Sequence, residues 1–262
     1  MPAIPFYQVD AFADASFTGN PAAVMPLDAW LPDDMLQAIA AENNLAETAF
    51  TVPDLTGEAD YELRWFTPMV EVALCGHATL ASGHVLIEGD AIRFRTRKAG
   101  VLEVRRDGEG YALDLPAWEM VGRDLPEIVA GMGGAPVETY WRDGGYSLLV
   151  YGSAAEILAL TPDFHGLRAI DPGDILYIAT APGDDTDIIS RVFAPGAGIN
   201  EDPVTGSAHA LLTAYWAKRL GRDSFTAFQA SQRGGRLTCR LAGGRAVLGG
   251  RCATVIEGVF RV

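Results

Sequence analysis

Residues 64–75 read RWFTPMVEVALC, and residues 191–202 read RVFAPGAGINED. Each begins Arg-x-Phe-x-Pro, runs six residues further and reaches a side chain able to carry a proton: Cys75 in the first, Asp202 in the second. On this alignment Cys75 and Asp202 take equivalent places. A glycine and a small or polar residue then lead into a helical pattern in each half, as Gly76-His77-Ala78 and Gly206-Ser207-Ala208. Upstream, AFTVP (49–53) and IATAP (178–182) correspond loosely. Phe-x-Pro is short and common, so coincidence is the plain alternative. The matching order of features, spaced at close to half the chain length, favours a duplicated strand-turn-helix unit. A break in the loop LPAWEMVGRDLP (115–126) predicts domains at 1–117 and 118–262, with the terminal strand able to cross back to the first.

The stretches at 4–12, 61–66, 91–106 and 110–116 alternate apolar and polar residues and predict strands of a curved antiparallel sheet. Strands divided by Gly-Gly turns fill 235–262. Helical patterns cover 31–44, 77–89, 124–133, 153–160 and 207–220. One long helix per half among many strands fits an α+β class and not a βαβαβ nucleotide fold. Neither GxGxxG after a strand nor GxxxxGK[ST] occurs, which disfavours NAD and ATP enzymes.

The formal net charge of −14 disfavours nucleic acid and anionic membrane surfaces as partners, while leaving anionic small molecules open. No basic leader with an apolar segment opens the sequence and no apolar run approaches a membrane span, so a cytoplasmic location is expected. Cys75, Cys239 and Cys252 show no CxxC spacing and form no even set. Cys239 and Cys252 receive no role. His77 and His84 share a helix side, but no third ligand of suitable spacing follows, so no metal is expected.

A helix start presents unpaired N–H groups and partial positive charge. Both glycine turns can therefore hold a carboxylate or a developing enolate oxygen. Ordinary capping by Thr205 or Ser207 is the plain alternative for a single turn. Two such turns beside proton-carrying side chains shift the balance toward a binding site. Glu47, in AENNLAETAFTV (41–52), falls between a helix end and a strand; a half-buried carboxylate there suits general base work, although most glutamates are solvated. By default Asp202 is a turn residue, His77 a satisfied histidine and Cys75 a buried, inert small hydrophobe. The Gly19-Asn20-Pro21 turn offers a possible substrate contact. A hydrolase using Cys75 and His77 is disfavoured: residues adjacent but one across a helix start are expected to point apart, and no orienting carboxylate is evident.

Four stretches, VDAFADASFTGNPAAV (9–24), NNLAETAFTV (43–52), RWFTPMVEVALCGHAT (64–79) and NEDPVTGSAHA (200–210), together resemble the phenazine-biosynthesis isomerase (PhzF-like) family of the diaminopimelate epimerase superfamily. The resemblance spans most of the sequence. It implies two pseudo-symmetric domains, each a curved sheet or barrel around a central helix, with the site in an interdomain cleft. It also implies a cofactor-independent isomerase, a homodimer, and a small carboxylic acid as substrate. Carried over residue by residue, Glu47 becomes the general acid/base, and His77, Asp202 and Ser207 line the site. Substrate contacts fall to Cys75, Gly76, Ala78, Thr205, Gly206 and Asn20. Related epimerases oppose two thiols; with Asp202 read at the second thiol's place, a symmetric two-thiol racemase is disfavoured. Proton relocation by Glu47 is the expectation. Epimerisation or dehydration using Cys75 and Asp202, and a non-catalytic acid-binding protein, are the rivals.

Overall fold

The computed structural model describes residues 3–171, 173 and 175–262. The chain divides into two compact units, residues 1–115 with 247–262, and residues 116–246. The terminal strand thus belongs with the first unit.

The first unit contains β1 (Ala3–Ala11), β2 (Asn20–Pro26), α1 (Asp33–Asn43), β3 (Glu47–Pro53), β4 (Tyr61–Phe66), β5 (Glu71–Val72), α2 (Gly76–Leu86), β6 (Ala91–Thr96), β7 (Val101–Asp107) and β8 (Gly110–Pro116). The second runs through β9 (Val121–Gly122), α3 (Pro126–Met132), β10 (Glu138–Arg142), β11 (Tyr146–Val150), α4 (Ala154–Ala159), α5 (Phe164–Ile170), β12 (Leu176–Pro182), β13 (Ile188–Ala194) and β14 (Ile199–Asp202). It ends with α6 (Gly206–Leu220), β15 (Ser224–Gln229) and β16 (Gly235–Ala242); the chain then re-enters the first unit within β17 (Arg245–Gly250), and β18 (Cys252–Arg261) pairs antiparallel with β1.

Mixed pairing corrects the expected antiparallel sheet. In the first unit β1–β2 is antiparallel, β2–β3 parallel, β3–β4 antiparallel, β4–β6 parallel and β6–β7 antiparallel. The second unit repeats this order in β10–β11, β11–β12, β12–β13, β13–β15 and β15–β16. A parallel pair needs a crossover, and α1, α2 and α6 supply three of them. The strands β2, β10 to β13 and β15, the short β5, β9 and β14, and the short α5 were not anticipated as elements. In β11, β12 and β13 successive positions are buried on both faces, so period-2 alternation is lost there.

Helix α2 packs against β1, β2, β3, β7 and β18. Its first eight residues, Gly76–Gly83, are all buried, as a helix enclosed by strands requires. Small side chains permit that enclosure. A Cβ on Gly83 would come within 2.5 Å of Val104 Cγ1. Helix α6 likewise buries Ala208, His209, Leu211, Leu212 and Trp216, ends at Gly221 in the left-handed region, and carries Lys218 and Arg219 where the helix dipole favours cations. Met25, Leu36, Ile39, Phe50 and Phe66 form an apolar core in the first unit; Met132, Leu149, Ile157, Leu167, Tyr177 and Phe193 form one in the second.

Candidate active site

The repeated Arg-x-Phe has a physical reason in each unit. On β4, Arg64 holds Glu71 of β5 through two hydrogen bonds (2.8 and 2.9 Å) and lies over the Phe66 ring. On β13, Arg191 holds Glu201 of β14 the same way (2.7 and 3.0 Å) and lies over Phe193. These forked ion pairs brace the short hairpin that delivers the chain to the helix start.

The brace also corrects the sequence alignment. Trp65 pairs with Val72, and Val192 pairs with Asp202. Asp202 is therefore the equivalent of Val72, while Cys75 is the equivalent of Thr205. The second hairpin contains extra residues, held in a 3-10 turn at Pro195–Ala197 and a left-handed Gly198, and counting from the proline misses them. Cys75 and Thr205 both cap their helices in extended conformation (φ −139° and −114°). Both carbonyls accept a side-chain bond from four residues on, from Thr79 Oγ1 (2.6 Å) and from His209 Nδ1 (2.9 Å). The second thiol's place thus holds a threonine, and Asp202 is a carboxylate standing where the first unit has Val72.

In the first unit, Glu47 opens β3 directly after the left-handed Asn44 that ends α1. Its Oε2 lies 3.1 Å from His77 Nε2, and the Cys75 Sγ lies 3.5 Å from His77 Nδ1. This overturns the expectation that Cys75 and His77 point apart with no carboxylate near. The cap bends back over the first helical turn, and β3 brings Glu47 from far upstream. His77 is 4% exposed. Burial opposes a charge on it, yet Cys75 and the Glu47 carboxylate outweigh burial and raise the imidazole well above its ordinary value. Burial first, and Glu47 second, push the Cys75 thiol up, with His77 pulling the other way. Asn20 is buried at the start of β2, the strand that runs parallel to β3 with Ala22 opposite Glu47, so it opens a strand after the left-handed turn at Gly19. Gly76 and Ala78 are buried in the first turn of α2.

In the second unit, Thr205 donates to Asp202 Oδ2 at 2.5 Å. Its N–H donates to Gln229 Oε1 (2.8 Å), and Gln229 Nε2 donates to the Asp202 carbonyl (2.7 Å). Both Thr205 donors are thereby committed within the protein, to Gln229 and to Asp202. Helix geometry leaves the Gly206, Ser207 and Ala208 N–H groups without carbonyls of their own helix. Ser207 hydrogen-bonds the Tyr146 hydroxyl, whose ionisation burial pushes up. His209 is the opposite of His77: burial lowers it to about 4, with only the Thr205 carbonyl opposing. Gln229 and Tyr146 were missed from sequence. Gln229 had one signal, a polar residue in phase with buried Phe225 and Ala227 on an alternating strand.

A family model described as phenazine biosynthesis-like protein matches residues 9–114 and 125–258. The chain belongs to this family. It is 46% identical over 265 residues to an uncharacterized isomerase of Pseudomonas aeruginosa, covering 99% of each. A crystal structure of a PhzF-family phenazine biosynthesis protein from Enterococcus faecalis is 44% identical, with a TM-score of 0.91 over 100% of both chains. A hydroxyproline epimerase of Agrobacterium vitis, crystallised with trans-4-hydroxy-L-proline, is 14% identical with a TM-score of 0.61, covering 98% of this chain and 92% of that one. That likeness is one of fold, and the fold is the epimerase-like one expected. The PhzF-family chain is an isomerase, as its relatives are named. No described helix is long and apolar enough to cross a membrane.

Proposed function

We propose that this PhzF-family isomerase moves a carbon-bound proton within a small carboxylic acid, with Glu47 removing the proton and returning it. One observation carries the reading: the Glu47 carboxylate is largely buried, with its side chain 14% exposed, and sits 3.1 Å from a buried imidazole at the start of a helix. The substrate's carboxylate or carbonyl would rest on N–H groups at that start, which favour negative charge. Glu47 then takes the proton, and the helix donors offset the charge of the enolate-like intermediate. A single such donor is worth about 3 kcal/mol in comparable sites. The charged His77 steadies the carboxylate while it is ionised and, once Glu47 has taken the proton, lies beside the enolate. Asp202 and Ser207, and with them Asn20, enter the proposal as groups that hold the substrate, with Thr205 and Gln229 orienting Asp202.

Epimerisation with Cys75 as one base is the weaker reading for a specific reason. Burial and the Glu47 charge both push its thiol up, and its counterpart in the repeat is Thr205, which has no thiol.

Unsaturated and cyclic small carboxylic acids should be incubated with the protein in deuterium oxide and followed by proton NMR. Deuterium at a relocated position, with a shifted double bond, supports the proposal. Inversion at a stereocentre without a shift supports epimerisation. Tight binding with no exchange for any acid bound would leave only a binding role.

A further inference from the structure

We infer that Glu47, Cys75 and His77 form a three-ligand site for a thiophilic divalent cation of the zinc class, and that filling it stops proton transfer. The binding stands on geometry alone; the stopping rests on the reading of Glu47 as the proton carrier.

The three side chains offer one sulfur, one nitrogen and one oxygen, all within 4.8 Å of one another. Glu47 Oε2 to His77 Nε2 is 3.1 Å, and Cys75 Sγ to the same nitrogen is 4.0 Å. Zinc binds sulfur at about 2.3 Å and nitrogen or carboxylate oxygen at about 2.0–2.2 Å. Ligand atoms around one such ion stand roughly 3–4 Å apart, so these positions need little movement to share one.

A second observation points to the same place. Glu47 Oε2 is buried and accepts no hydrogen bond from the described residues, although the imidazole nitrogen is 3.1 Å away. The oxygen lies off the axis along which that nitrogen would donate. A nitrogen lone pair and a carboxylate oxygen that miss one another can both reach an ion set beside them. The sulfur closes the third side, and the fourth position is left for water or a substrate oxygen.

Charge and donor type select the ion. Thiolate and carboxylate together balance a divalent cation. Sulfur and imidazole favour zinc over magnesium or calcium, which take oxygen ligands. The positive helix start opposes a cation, and the two anionic ligands outweigh it. On binding, the thiol proton and the imidazolium proton pass to solvent as the metal–sulfur and metal–nitrogen bonds form, and no electrons are transferred. The ion then occupies the oxygen that would accept the substrate's proton. His84 takes no part: it is held by Tyr111 (3.1 Å) and Thr254 (2.9 Å).

Metal-free protein titrated with cobalt(II) should develop a thiolate-to-cobalt charge-transfer band that saturates at one equivalent and is abolished by zinc. Cys75→Ser should lose the band, Glu47→Gln should bind at least tenfold more weakly, and His84→Ala should bind like the parent. Absence of the band in the parent, or an unchanged band in Cys75→Ser, overturns the site. Deuterium exchange run alongside should fall at least a hundredfold at one equivalent of zinc and return on chelation. A band with undiminished exchange keeps the metal site and sinks the role given to Glu47. Exchange in the metal-free parent that no amount of zinc slows, with no cobalt band at any ratio, does the reverse.

Discussion

The two units share a frame and differ in the chemistry mounted on it. Each has an Arg–Glu brace, a short hairpin, an extended cap residue and a helix starting on glycine. At matching positions the first unit carries Cys75 and His77, the second Thr205 and Ser207. Glu47 opens β3, and its counterpart opening β12 is Leu176; both strands run seven residues to a proline. Proton-carrying groups gather in the first unit, whereas the second supplies hydroxyls and Asp202. A duplicated frame can therefore keep its braces and caps while its site residues diverge.

The frame should break most severely at its braces. Arg64→Met and Arg191→Met remove one buried and one half-buried cation that hold Glu71 and Glu201, and each should cost about 3 kcal/mol in urea unfolding. A loss in one variant far smaller than in the other would show that the braces are not equivalent.

The next contrast is between the two buried histidines. His209, lowered to about 4, contributes stability that is fully present above its ordinary value of 6.5 and is lost as pH falls toward 4. The whole effect amounts to about 3 kcal/mol. His77, raised, contributes stability that is present below 6.5 and is lost as pH rises through its raised value. Ring-proton NMR titration should find His209 neutral and His77 charged at pH 6. The opposite assignment would reverse the account of both helix starts.

Gln229→Leu removes the bonds it makes to the Thr205 N–H and the Asp202 carbonyl and should cost about 2 kcal/mol in stability. It should also slow turnover more than it weakens substrate binding, because Asp202 loses its fixed orientation. Turnover at the parent's rate in Gln229→Leu, with only stability lost, would confine the residue to a structural role. The smallest effect tests the corrected register. Thr205→Cys, which puts a thiol at the place equivalent to Cys75, should fold with a loss of about 1 kcal/mol from the missing bond to Asp202. Alkylation of the new thiol in folded protein as fast as in unfolded protein would show that the position is not the buried cap described.

Much of this frame was legible in the sequence. Arg-x-Phe-x-Pro and the glycine turns marked the duplication because the brace and the helix start each demand a particular residue type. The alignment slipped because spacing cannot reveal the extra turn at 195–198; only strand pairing shows that Asp202 answers to Val72. Glu47 stood out by its place at a helix–strand junction. Its approach to His77 did not, since that depends on how β3 lies beside α2. Gln229 was hidden for a related reason: a lone polar residue in phase with a buried face acquires meaning only when its partners, 24 and 27 residues upstream, are known.

The most direct test of the central claim is the rate of solvent deuterium entry into a bound acid, measured for Glu47→Gln and Cys75→Ala beside the parent. The account predicts a loss of about 10²–10⁴ for Glu47→Gln and a much smaller one for Cys75→Ala, with both variants folded. Exchange at the parent's rate in Glu47→Gln, with exchange abolished in Cys75→Ala, would contradict it and make the thiol the base.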